Sequence, residues 1–110
     1  MINDTLTKIE TRLENAGSLG EETRRELLHL ITTLKQEISD LSKTDADQAQ
    51  SIAGFAEAST HEAIRATRKP ELLTYSLEGL SASVEGFEES HPHLVQIVNR
   101  ICATLSNLGI

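Results

Sequence analysis

The chain has 110 residues, 38% hydrophobic and 25% charged, with a formal net charge of −7. That is one domain's length, too acidic for a nucleic-acid backbone, which needs clustered Lys and Arg, and its single cysteine, Cys102, excludes an intrachain disulfide. No apolar run approaches the roughly 18 residues of a membrane span, and the N-terminal Met-Ile-Asn-Asp-Thr-Leu-Thr-Lys lacks the basic and apolar regions of a signal peptide, so the expectation is a cytoplasmic protein without nucleic-acid or membrane partners.

The apolar pattern is helical along nearly the whole chain. Ile2, Leu6, Ile9, Leu13 and Ala16 step alternately by four and three residues and hold one stripe on one face, predicting a helix over 3–16. Gly17 stands where a left-handed cap would end it. Ser18-Leu19-Gly20-Glu21 has the spacing of a capping box. A second helix is therefore expected over 19–42, on the stripe Leu27, Ile31, Leu34, Ile38 and Leu41 with Leu28 and Leu30 beside it. The short turn between the two predicts an antiparallel hairpin.

Ser42 to Asp47 is a polar break, with Thr44 or Asp45 as the next N-cap. The third segment, 46–68, carries a stripe of small residues: Ala49, Ile52, Ala53, Ala56, Ala63 and Ala66, with Phe55 and Ile64 beside it. Alanine favours helix but buries little area. Such a helix either packs with its backbone close to a neighbour or is loosely held. Gly54 within it costs about 1 kcal/mol relative to Ala.

Lys69-Pro70 ends that segment, and Pro70 suits the first turn of a fourth helix over 70–89. Its stripe is Leu73, Leu77, Leu80, Val84 and Phe87. The last stripe, Leu94, Val98, Ile101, Leu105 and Leu108, predicts a helix over 92–108, with Gly109 as its cap. His91 continues the heptad phase from Phe87 to Leu94 across Pro92. Residues 70–108 are thus either a hairpin with Ser90 capping the last helix or one long helix kinked at Pro92. An interior proline costs about 3 kcal/mol or more, which favours the break. Glu88 and Glu89 argue the other way, because acids at a helix C-terminus oppose its dipole.

The chemistry-bearing residues make no strong site. Glu26-Leu27-Leu28-His29 and Glu88-Glu89-Ser90-His91 have the Glu-x-x-His spacing of carboxylate-bridged metal bundles. His29, however, lies about 200° round the helix from Leu27, on the solvent side. His91 and His93 flank Pro92 without Cys or acidic ligands at zinc-like spacing. His61-Glu62-Ala63-Ile64-Arg65 opens like a zincin motif, but Arg65 stands where the second His is required. Asp45 and Asp47 open like a calcium loop, but Gln50 and Ala56 hold the places of its Gly and Glu. Cys102 reads as the edge of a core. Arg65, Arg68 and Lys69 read as cations at a helix C-terminus. No catalytic, metal or cofactor-binding residue is therefore assigned. The partner-binding candidates are Tyr75, about 200° from Leu73 and so exposed, together with Leu108 and Ile110 at the apolar C-terminal tip.

Phe87 to Leu94, with its Ser90-His91-Pro92-His93-Leu94 core, the Leu105-Ser106-Asn107-Leu108-Gly109-Ile110 tail and the stretch from Leu19 to Leu28 resemble a known family. It is a family of small uncharacterised bacterial helical proteins, a domain of unknown function, with a Ser-His-Pro-x-Leu helix and a Leu-Ser-Asn-Leu-Gly-Ile tail. The resemblance covers both ends of the chain. Shorter members lack the Ala-rich middle, so this sequence resembles a longer variant. The family implies a bacterial cytoplasmic setting and brings no activity, cofactor or catalytic residue.

The expected fold is all-α: four or five antiparallel amphipathic helices, in a bundle or coiled-coil-like hairpins, and dimeric because the seams are narrow and one helix is alanine-rich. The expected function is that of a non-catalytic interaction or scaffold protein acting through helix–helix contacts. One alternative is a metal-dependent enzyme or metal-binding bundle using Glu88, His91 and His93. The other is an acidic mimic that binds a basic protein.

Overall fold

The three-and-four spacing of aliphatic residues decides which side of each helix leaves water. The computed structural model describes the backbone from residue 2 to residue 108 and the side chains from residue 4. Ile2, as a side chain, and Gly109 and Ile110 lie outside the described residues. The described chain is five helices: α1 (Ile2–Glu14), α2 (Glu21–Ser42), α3 (Ala46–Ile64), α4 (Pro70–Ser83) and α5 (Pro92–Leu108). The fold is all-α. One hydrophobic core gathers the predicted stripes, among them Leu6, Ile9 and Leu13 of α1, Leu34 and Ile38 of α2, Leu80 of α4, and Leu94, Ile101 and Leu105 of α5.

The α1–α2 turn is built differently from its sequence signature. Gly20, not Ser18, is the N-cap of α2, and no side chain caps that helix. Nor does Gly17 take the left-handed conformation, which among the described glycines belongs to Gly86 alone. Arg24 instead reaches back from the first turn of α2. Its guanidinium donates to the carbonyl oxygens of Leu13 (3.1 Å) and Ala16 (2.6 Å). One side chain thus adds a charged donor to carbonyls at the end of α1 that otherwise accept only the long amide bonds of Ala16 and Leu19, at 3.3 Å each. Farther from the turn, Lys35 Nζ meets Thr7 Oγ1 (3.0 Å) and Glu10 Oε1 (3.3 Å), tying α1 to α2. At the next break Asp45 is the N-cap of α3, its Oδ1 accepting from the Gln48 amide at 3.1 Å.

The alanine-rich α3 packs by close approach. It meets α1, α2, α4 and α5, and among the described residues no other helix meets all four. Ala49, Ile52, Ala53 and Ala56 are fully buried and Ala63 nearly so. Small side chains let a helix axis come near its neighbours, so the sequence poorest in buried area occupies the centre. Ser59 and Thr60 are buried with them, and Ser59 Oγ has no hydrogen-bond partner. Gln48, on the same helix, donates to the Ser83 carbonyl at the end of α4.

Three helices stop earlier than their stripes, the first being α1, which ends at Glu14 instead of 16 while Ala16 still packs against the core. α3 ends at Ile64 instead of 68, because Arg65 is already extended (φ −65, ψ 151). Residues 65–69 carry the chain across to α4, and Lys69 before Pro70 is extended too (φ −119, ψ 100), as the proline demands. Ala66, counted in the stripe, is exposed. α4 ends at Ser83 instead of 89. Gly86 takes φ +95, a left-handed conformation that breaks a right-handed helix. Phe87 still packs against the core, so the apolar phase survives where the helix does not. The Glu88 carboxylate accepts from the Gly86 amide at 2.8 Å, so this acid closes a turn and does not oppose a helix dipole. The chain between α4 and α5 is therefore a turn, and Pro92 opens α5 without kinking a longer helix.

Candidate functional site

The residues with metal or acid–base chemistry are dispersed over the surface. His29 is exposed on the outer side of α2. At the α4–α5 turn, Glu88 is spent on Gly86, and His91 stacks edge-on against Phe87 with centroids 5.6 Å apart. The His91 ring nitrogen Nδ1 also lies 2.9 Å from Ser90 Oγ. His93 turns to another helix, with its Nδ1 3.2 Å from Glu37 Oε2. His61 Nδ1 lies 3.0 Å from Arg12 Nη1; since guanidinium only donates, this nitrogen accepts and carries no proton in that contact. Asp45 caps α3. Among the described residues no three His, Cys, Asp or Glu side chains converge where one ion would reach them.

The basic cluster also has structural work to do. Arg65 pairs with Glu62 at 2.9 Å. Arg68 donates to the Leu108 carbonyl, and so places a cation at the C-terminal end of α5 rather than of α3. Cys102, on α5, is half-buried beside α4, its Sγ 3.9 Å from the Leu77 carbonyl. Burial pushes the thiol above its ordinary value of 9.0, so the thiol form persists at neutral pH and the thiolate nucleophile is scarce.

The partner-binding candidates fall in different places. Tyr75 stands out from α4 with 66% of its surface exposed. Leu108 is partly buried and packs against the core at the end of α5. Ile110 lies outside the described residues.

Two apolar residues join Tyr75 at the surface. Phe55 on α3 is 41% exposed and Leu72 on α4 38% exposed; with Tyr75 they are the large hydrophobic side chains left exposed among the described residues. They belong to one surface. Leu72, Tyr75 and Gly79 follow at three and four residues on α4, hence on one side of it. The Phe55 ring lies over Gly79, so closely that a Cβ there would meet its Cε1 at 2.3 Å. Phe55 therefore borders the Leu72–Tyr75 side of α4 from the neighbouring helix.

Sequence reading finds Tyr75 but not Phe55 or Leu72. The available signal was a second, outward register on α4. Leu72, Tyr75, Gly79 and Ala82 keep three-four-three steps, centred about 150° round the helix from the stripe Leu73, Leu77, Leu80 and Val84. Glycine and alanine in two of the four places conceal it from a search for large side chains.

A family model described as a domain of unknown function (DUF4404) matches residues 2–110, the Ala-rich segment included. Neither a curated protein nor a solved structure matches the chain.

Proposed function

We propose that this chain, which belongs to the DUF4404 family, is a non-catalytic interaction protein acting through helix–helix contacts made by the outer face of α3 and α4. One observation carries this reading: Phe55, Leu72 and Tyr75 are exposed together on two neighbouring helices. Scattered surface hydrophobics are ordinary, but a contiguous apolar patch is the usual mark of an interaction site. Tyrosine near the centre of such a patch offers a large rigid contact with little entropy to lose. The dispersed His and acidic side chains favour this reading over a metal centre built on Glu88, His91 and His93.

The test is the paired substitution Leu72→Ser with Tyr75→Ala in the full chain. Both side chains are exposed, so the thermal midpoint should move little, since surface changes stay within about 0.5 kcal/mol. Proteins co-purified by the tagged wild-type chain should be lost with the variant. Unchanged co-purification would end the assignment to this face.

A further inference from the structure

The outward register of α4 specifies what it can receive. Leu72, Tyr75, Gly79 and Ala82 occupy the a and d places of a heptad; Leu72, Tyr75 and Ala82 are exposed, while Gly79 lies under the Phe55 ring. They span about 80° of the helix circumference. Immediately before Leu72 and Gly79 stand Glu71 and Glu78. Both are exposed, seven residues apart, and so on one flank of the seam. Among the described residues neither carboxylate is engaged in an ion pair. The other flank carries no charge, and its Ser76 and Ser83 are half-buried and buried. Flank residues choose partner and direction in paired helices, because each sits opposite a flank residue of the other helix.

A second copy fits this arrangement poorly. Laid antiparallel about a two-fold axis, it sets the Glu71–Glu78 flank against its own duplicate, and like charges there are repulsive. Laid parallel, it sets glutamate against the half-buried Ser76 and buried Ser83, which offer no charge, and gains nothing. The chain's net charge of −7 adds to the repulsion.

Resting on the interaction reading above, we infer that the outer seam of α4 receives an amphipathic helix of a different protein, with an aliphatic seam flanked by Lys or Arg. The aliphatic residues pack on Leu72 and Tyr75 beside the Phe55 ring, and the basic flank lies along Glu71 and Glu78.

The test uses the full chain and two labelled synthetic helical peptides with the same leucine–alanine heptad seam. One carries lysines at the flanking positions and the other glutamates. Fluorescence anisotropy should show the lysine peptide binding at least about tenfold tighter at low salt. Glu71→Lys with Glu78→Lys should abolish that preference. Glu14→Lys with Glu89→Lys, which changes net charge equally at exposed positions off α3 and α4, should leave most of it. If the two double variants weaken binding equally, the attraction is to net charge and the inference fails. If both peptides bind equally and Tyr75→Ala abolishes both, the basic partner is wrong while the interaction face stands. If Tyr75→Ala changes nothing, both readings fall. If neither peptide binds and sedimentation shows a dimer that Tyr75→Ala dissociates, the occupant is a second copy and the inference is overturned. If neither binds and the chain is a monomer, both readings fall.

Discussion

Arg24 is the side chain on which the α1–α2 turn most depends. It is 20% exposed and donates to two carbonyls that close α1, at Leu13 and Ala16, while also pairing with Glu21. The carbonyl bonds are the part that matters. The same carbonyls also accept the backbone amides of Ala16 and Leu19, at 3.3 Å each, so losing Arg24 strands no acceptor but removes hydrogen bonds from a charged donor, worth about 1.5–3 kcal/mol and more than an exposed ion pair returns. Arg24→Leu should therefore lower unfolding free energy by about 1.5–3 kcal/mol, read from urea denaturation. Glu21→Gln, which removes only the exposed pair, should change it by less than about 0.5 kcal/mol. Equal effects would mean that the ion pair, not the capping, is what Arg24 supplies.

Cys102 gives a residue-scale test in pH. Burial raises its thiol above 9.0, so the folded state favours the neutral form. Stability from this group is fully present below the ordinary thiol value. It is lost as pH rises through the raised one, because the unfolded chain ionises first. Alkylation of Cys102 in the folded chain should accordingly be slow at pH 8 and accelerate only above pH about 9, later than a model thiol. A rate profile matching that of a free thiol would show that the side chain is not held against α4.

At the scale of the helix, two glycines of similar sequence character behave differently. Gly54 lies on the exposed side of α3 with nothing within 4 Å of an added Cβ. Gly54→Ala should stabilise the protein by about 0.5–1 kcal/mol, the ordinary helix-propensity gain. Gly79 lies under Phe55, and a Cβ there meets the ring at 2.3 Å and 2.5 Å. Gly79→Ala should gain less than Gly54→Ala or lose stability, because the ring must swing out. Thermal melts of the two variants side by side check this, and an equal gain would show that the Phe55 ring moves freely.

Helix existence was legible because the stripes are long and regular: Leu27 to Leu41 and Leu94 to Leu105 lie buried as spaced. Helix ends were not. Periodicity reports which residues face the core and does not require the backbone between them to be helical. Val84 and Phe87 keep the heptad phase while Gly86 turns the chain left-handed. Ser18 to Glu21 has the letters of a capping box, yet Arg24, distant in any local motif, closes the preceding helix. The apolar surface was half legible for the same reason. Tyr75 shows itself by angle, whereas Phe55 joins it only through the packing of α3 on Gly79.

For the molecule as a whole, the helix with the least area to bury holds the most central place. Ala56 is fully buried on α3, the helix that α1, α2, α4 and α5 share. Its small side chain sets how closely those neighbours approach. Ala56→Leu should force them apart and destabilise by about 1–3 kcal/mol, the cost of overpacking a filled core. Ala58, two residues on, is exposed. Ala58→Leu adds the same atoms with the same slight propensity change and should leave stability within about 0.5 kcal/mol. Since α3 contacts every other helix, the loss from Ala56→Leu should appear as one cooperative transition moved to lower denaturant, by far-ultraviolet circular dichroism and tyrosine fluorescence alike. Two separated transitions would mean that the helices do not depend on α3 together, and that a subset packs independently of the alanine seam.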